Sequence, residues 1–132
     1  MSMKVLIADP DWRFARNTRD YLESHAHLVL SHAEADHVMD RVRTWQPDLV
    51  ILAAELAEPG LLNELTSSPN RPALLLTEYM DRYDRAWRAW QQGGDELLMK
   101  PVFKSSELHQ AIVTALENAA AGTRTRPAAA TA

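Results

Sequence analysis

The sequence predicts an α/β fold: a doubly wound, five-stranded parallel sheet with helices on both faces. Two observations predict it. Short apolar runs alternate five times with stretches of helical periodicity, and the connections between them are brief. The runs are continuous rather than alternating, as in strands covered on both faces of a parallel sheet. Right-handed crossovers then put helices on both sides.

Lys4 to Ala8 (Lys-Val-Leu-Ile-Ala) is the first apolar run, and it stops at Asp9-Pro10-Asp11. From Trp12 to about His25, the residues Phe14, Ala15, Thr18, Tyr21 and Leu22 recur at helical spacing, with Asp11 placed as the N-cap. Leu28 to Ser31 is a weaker second strand, and Ala35 to Trp45 carries Val38, Met39 and Val42 on one helical stripe. Pro47 precedes the strongest strand signal, Leu49 to Ala53. A turn at Glu58-Pro59-Gly60 leads to a short helix from Leu61 to about Ser67, which Ser68-Pro69-Asn70-Arg71-Pro72 ends. Ala73 to Thr77 is the fourth strand. The helical pattern from about Asp81 to Gln92 stops at Gly93-Gly94. Leu97 to Met99 supplies the fifth strand, and Ser105 or Ser106 opens a last helix to about Ala120.

Composition bounds the reading. The chain has 132 residues, 46% hydrophobic and 24% charged, which suits one domain over residues 1–120. Residues 121–132 lack large apolar side chains and are expected to form a flexible tail or linker. There is no cysteine, which excludes disulfides and thiolate metal sites. Met1 to Pro10 holds one lysine and an apolar stretch too brief for a secretory or membrane segment, so a cytoplasmic protein without membrane contact is expected. A net charge of −4 gives no basic field, which argues against direct nucleic-acid binding.

In doubly wound folds, ligands gather beyond the carboxyl ends of the strands. The residues placed there are Asp9, Pro10, Asp11, Ala53, Glu55, Thr77, Glu78 and Lys100. A lysine at the rim of a sheet needs an anionic partner, because an unpaired buried ammonium is costly.

Four segments in order and spacing carry a resemblance: Lys-Val-Leu-Ile-Ala-Asp at 4–9, Gln-Pro-Asp-Leu-Val-Ile-Leu at 46–52, Leu-Leu-Leu-Thr at 74–77 and Gly-Gly-Asp-Glu-Leu-Leu-Met-Lys-Pro-Val at 93–102. Over about residues 3–120 the chain resembles the receiver domain of bacterial two-component response regulators, the CheY-like superfamily. The resemblance implies a flavodoxin-like sheet of order 2-1-3-4-5 and a role in phosphorelay signal transduction rather than enzymatic turnover. Its partners would be a sensor kinase, an output domain or a second copy.

In that family two adjacent acids after the first strand and an acceptor aspartate after the third bind magnesium, a hard cation that takes oxygen ligands and offsets phosphoryl charge. Here the first acid is Asp9, the second position is Pro10 and the acceptor position is Ala53. The resemblance therefore implies a degenerate phosphorylation pocket with no catalytic residue, no cofactor, and weak or absent magnesium binding. Asp11 is either a substitute carboxylate or, more blandly, a helix cap. Glu55 stands two residues after the acceptor position. Thr77 matches the family's hydroxyl residue and Lys100 its lysine, with a cis bond to Pro101 implied. With alanine in place of its usual partner, Lys100 is expected to pair with Asp9, or alternatively with Glu55 or Glu78.

Other departures point the same way. Glu78 stands where the family has a small residue, and it would add bulk and repel an anionic donor. Leu97 stands at the switch position, normally aromatic. The turn after Ala53 looks one residue short. His25, His27, His32 and His37 are read as solvated side chains, not a metal site. On the fourth helix, Trp90 is expected to pack on the sheet with Ala86 and Ala89, leaving Trp87 on the surface. Arg82, Arg85, Trp87, Arg88, Leu97 and Lys104 form the candidate partner surface, fitting a homodimer through the fourth helix, fifth strand and fifth helix. The resulting reading is a pseudo-receiver that works by phosphorylation-independent protein contact or dimerisation; the alternatives are a phosphorelay receiver with Asp9, Asp11 or Glu55 as acceptor, or a small-anion sensor using Lys100 and Thr77.

Overall fold

The computed structural model describes residues 2–122. The expected tail therefore lies, beyond Gly122, outside the described residues. The elements are β1 (Lys4–Ala8), α1 (Trp12–Ser24), β2 (Leu28–His32), α2 (Val38–Trp45), β3 (Leu49–Ala53), α3 (Pro59–Ser67), β4 (Ala73–Tyr79), α4 (Tyr83–Gln91), β5 (Glu96–Lys100) and α5 (Ser105–Ala121). The strands form one parallel sheet in the order β2-β1-β3-β4-β5. The predicted fold class and strand order are those observed.

The continuous apolar runs sort by parity onto two faces. Val5, Ile7, Leu49, Ile51, Leu75 and Leu98 pack beneath α1 and α5, meeting Phe14, Leu22, Leu108 and Ile112. Leu6, Val50, Leu52, Leu74, Leu76 and Leu97 pack on the other side beneath α2, α3 and α4, meeting Val38, Val42, Leu62, Leu65 and Ala86. Leu6, Ile7, Leu49, Ile51, Leu52, Leu75 and Leu76 are wholly buried.

Several boundaries differ from the sequence reading. Helix α2 starts at Val38 rather than Ala35, because residues before it form a turn in which the Val38 amide bonds the Ala35 carbonyl. Helix α3 starts two residues early at Pro59, whose ring suits a first turn that needs no amide donor there. A 3₁₀ turn over Met80–Arg82 precedes α4, so the predicted start at Asp81 falls inside that turn. Strands β4 and β5 run longer than predicted, to Tyr79 and Lys100, because polar residues there find partners inside the ladder.

Gly93 and Gly94 do more than stop a helix. Gly93 has φ of +150°, and a Cβ there would lie 2.6 Å from Thr66 Cγ2; a Cβ on Gly94 would lie 2.5 Å from Leu76 Cδ1. Close approach to α3 and β4 thus requires both glycines.

At the opening end of β5 the Asp95 carboxylate, fully buried, takes a bidentate bond from Arg71 at 2.6 and 3.0 Å and a third from the Leu74 amide at 2.8 Å. Asn118 of α5 donates to the Asp95 carbonyl at 2.9 Å. This knot joins the β4 and β5 openings to α5.

Next to it, Glu96 is 7% exposed, and its carboxylate accepts from the Leu97 amide. Burial raises the Glu96 pKa above the usual carboxylate range, with the amide bond opposing. The folded chain then binds this proton more tightly than the unfolded one, so stability falls as pH climbs past the unfolded value. Glu96→Gln is expected to raise stability near neutral pH by on the order of 1 kcal/mol for each pKa unit that burial adds, and to gain nothing in acid. Urea titrations in acid and at neutral pH check this; a gain of equal size at both would contradict it.

Candidate functional site

The site lies at the carboxyl ends of β1, β3, β4 and β5. The chain leaves β1 at Asp9, whose carboxylate is 2% exposed and fully committed. Its Oδ1 accepts from the Asp11 amide at 2.9 Å. Its Oδ2 accepts from the Thr77 hydroxyl at 3.0 Å and from Lys100 Nζ at 2.9 Å. Thr77 is wholly buried and Lys100 is 4% exposed.

Lys100 has more company than one carboxylate. Asp11 Oδ2 lies 3.4 Å from its ammonium, and the rings of Phe14 and Tyr79 flank it with centroids at 4.8 and 5.0 Å. Two carboxylates offset the charge and two aromatic faces add cation–π attraction. The bond between Lys100 and Pro101 is cis.

Asp11 holds two posts at once. Its Oδ1 caps α1 by accepting from the Phe14 amide at 3.2 Å, and its Oδ2 accepts from the Tyr79 hydroxyl. Burial would raise its pKa, but the Tyr79 and Phe14 hydrogen bonds and the Lys100 charge outweigh that and hold it below the usual value. The same hydrogen bond to Asp11, with burial, pushes the Tyr79 phenol up to about 12.

Ala53 closes β3 directly beside Thr77 in the ladder and is 2% exposed. Its methyl group offers no nucleophile and no metal ligand. A 3₁₀ turn over Ala54–Leu56 follows, carrying Glu55 outward into solvent. The magnesium that the resemblance brings to this position does not fit the residues present. Pro10 and Ala53 supply no oxygen, and both Asp9 oxygens already hold donors. Among the described residues, no group of three His, Asp or Glu side chains is placed to hold a metal ion.

The structure thus brings Asp9, Asp11, Thr77 and Lys100 together, and of the three partners weighed for Lys100 the ammonium meets Asp9. Glu55 and Glu78 make no bond to it. Glu78 is 5% exposed and turned toward α4, where Oε2 accepts from Arg85 Nε and Oε1 from the Tyr79 amide. The Glu78 hydrogen bond raises the Arg85 pKa. Glu78 is therefore a paired charge rather than a bare repulsive one.

The candidate partner surface needs three corrections. Leu97 is 5% exposed and belongs to the core beneath α4, because both faces of the sheet are covered and its side chain lies on the α4 side. Arg85 is held by Glu78. Lys104 caps the start of α5 and lines a cleft with residues of α1. What α4 does present is a ladder of rings: Tyr83 stacks on Trp87 at 6.4 Å and Trp87 on Trp90 at 5.1 Å, all half-buried. Trp87 thus shares its exposure with both neighbours. The histidines are also less uniform than expected, since His27 Nδ1 accepts from the Met3 amide at 2.9 Å.

Sequence reasoning missed Phe14 and Tyr79 as the walls around Lys100. By periodicity Phe14 is an ordinary apolar position of α1, and Tyr79 lies beyond the predicted end of β4. The signal lay in strand length: two more ladder residues carry Tyr79 level with Lys100.

No family profile matches the chain, and no curated protein matches it. Solved structures do. NtrX from Brucella abortus superposes with a TM-score of 0.79 at 21% identity, over 92% of this chain and 28% of that one. A putative response regulator from Chloroflexus aurantiacus gives 0.77 at 19% identity, over 89% and 99%. The signal receiver domain of a response regulator from Bermanella marisrubri gives 0.72 at 20% identity, over 86% and 97%. The chain spans little more than a quarter of NtrX and nearly the whole of the other two. By its strand order, its helices on both faces and these likenesses, the chain has the fold of response-regulator receiver domains.

Proposed function

We propose that the chain is a pseudo-receiver: a signalling module of two-component type, cytoplasmic, that acts through protein contact without aspartyl phosphorylation. The observation that carries this reading is the engagement of Thr77 and Lys100 by Asp9 beside the Ala53 methyl. In a phosphate-accepting pocket a hydroxyl and an ammonium must be free to meet the incoming anion. Here both are bonded to an internal carboxylate, and the acceptor position has no oxygen.

The output surface in this reading is α4 with β5 and α5, used by a second copy, an output domain of a transcriptional regulator or a sensor kinase. The Tyr83–Trp87–Trp90 ladder supports it, since half-exposed aromatic clusters are favoured at interfaces. No helix among the described residues is long and apolar enough to cross a membrane.

One preparation tests both halves. After incubation with acetyl phosphate and magnesium, intact mass spectrometry is expected to find no phosphoryl adduct, and Ala53→Asp alone is not expected to create a stoichiometric one, because Pro10 supplies no second acid. An acid-stable, hydroxylamine-labile adduct on Asp9, Asp11 or Glu55 of the unaltered chain would sink the reading. Light scattering of the same sample is expected to show a dimer that Trp87→Ala weakens at least tenfold; a monomer at all concentrations would remove self-association from it.

A further inference from the structure

Beside the strand ends, between α1 and the start of α5, lies a cleft of about 300 Å³. Its walls are the rings of Phe14, Tyr21, Tyr79 and Phe103, and its rim carries Arg13 and Lys104. That volume is at the small end of ligand sites, and mixed aromatic walls with a few convergent charges are their usual composition.

The sign of the occupant follows from the charges. Lys100 at the floor is already offset by Asp9 and Asp11. Among the described residues, the side chains of Arg13 and Lys104 have no carboxylate partner: Arg13 lies against the Trp12 ring at 5.3 Å, and Lys104 bonds only through its carbonyl, to the Glu107 amide. Glu107, the nearest acid on α5, is turned to the Phe103 amide at 3.3 Å. Asp9, Asp11 and Lys100 sum to −1, so Arg13 and Lys104 leave the cleft and its floor at a net +1, an attractive field for an anion.

The shape of the occupant follows from the rings. Phe103 is 81% exposed, an apolar ring at the rim with most of its surface in water. Tyr79, which lines the same cleft, is 43% exposed. A flat ring entering the cleft would cover both faces and leave its carboxylate at Arg13 and Lys104.

We propose that this cleft binds a small aromatic carboxylate. Its position has a further consequence, because Tyr79 lines the cleft and also donates to Asp11 in the Lys100 cluster. An occupant would touch the strand-end cluster directly. The proposal does not rest on the phosphorylation reading, and its test is independent of that one.

The probe is 4-hydroxyphenylacetate, titrated into the full chain and followed by amide chemical shifts and calorimetry. Saturable binding with Kd of about 1 mM or tighter is expected, with shifts clustered at Arg13, Tyr79, Phe103 and Lys104. Tyramine, with the same ring and the opposite charge, is expected to bind at least tenfold more weakly, as is cyclohexylacetate, which keeps the charge and lacks the aromatic face. Arg13→Glu with Lys104→Glu is expected to weaken binding about tenfold, and Phe103→Ala to weaken it severalfold. All three residues have exposed side chains, and the variants' unchanged melting would show that the fold persists. No saturation up to about ten times that Kd, shifts elsewhere on the surface, or equal binding of tyramine would each overturn the proposal.

Discussion

Replacing Lys100 with methionine is expected to cost about 3–5 kcal/mol of stability, the largest single loss available at the strand ends. The ammonium is 4% exposed and its Asp9 partner 2%. Removing it leaves the Asp9 carboxylate buried with only the Thr77 hydroxyl and the Asp11 amide to solvate it. Methionine is close in length and would still pack between Phe14 and Tyr79, so the loss would report the charge rather than a cavity. The double variant Asp9→Asn, Lys100→Met removes the stranded charge and is expected to recover at least half of the loss. Urea titration of the two singles and the double closes the cycle. Additive losses would mean that the pair does not interact as the 2.9 Å contact implies.

Asp95→Ala is expected to cost about 3 kcal/mol, for a different reason. The Arg71 guanidinium is 23% exposed and can turn toward water once its partner is gone. The Leu74 amide cannot, because it is buried at the start of a central strand. An unsatisfied amide and two lost charge-assisted bonds together set the cost. Asp95→Asn keeps an oxygen for Leu74 and is expected to lose about half as much. Amide exchange at Leu74 separates the two explanations: it should quicken in the alanine variant and stay slow in the asparagine variant. Rapid exchange in both would assign the effect to Arg71 instead.

These two sites were unequally legible in the sequence. The first is visible because a lysine after an apolar strand must be neutralised, and Asp9 is one of the three acids weighed as its partner at that end of the sheet. Its aromatic walls were not visible, since nothing in a run of residues says that Phe14 from one helix and Tyr79 from a distant strand will meet across one ammonium. The second was not visible at all. Asp95 sat within a Gly-Gly-Asp segment that reads as a helix stop, while Arg71 sat among loop breakers, 24 residues away.

The same contrast holds along the fold. Apolar runs located every strand because burial on both faces leaves no choice of residue type. Glu78, Glu96 and Lys100 fall outside the predicted strand limits, because their burial depends on partners that only the folded chain supplies. The burial of Leu97 is illegible for a related reason: a short continuous run does not say which of its residues faces which layer.

The Lys100–Asp9 contact also fixes an order of events. Its partners are 91 residues apart, at the end of the last strand and just after the first. A chain emerging from its amino terminus completes β1 through β4 before the lysine exists to meet the waiting carboxylate. Until that moment the Asp9 carboxylate lacks its ammonium partner. The strand-end cluster therefore closes only once β5 has been made, and any fragment ending before residue 100 carries the acids without the cation that closes them.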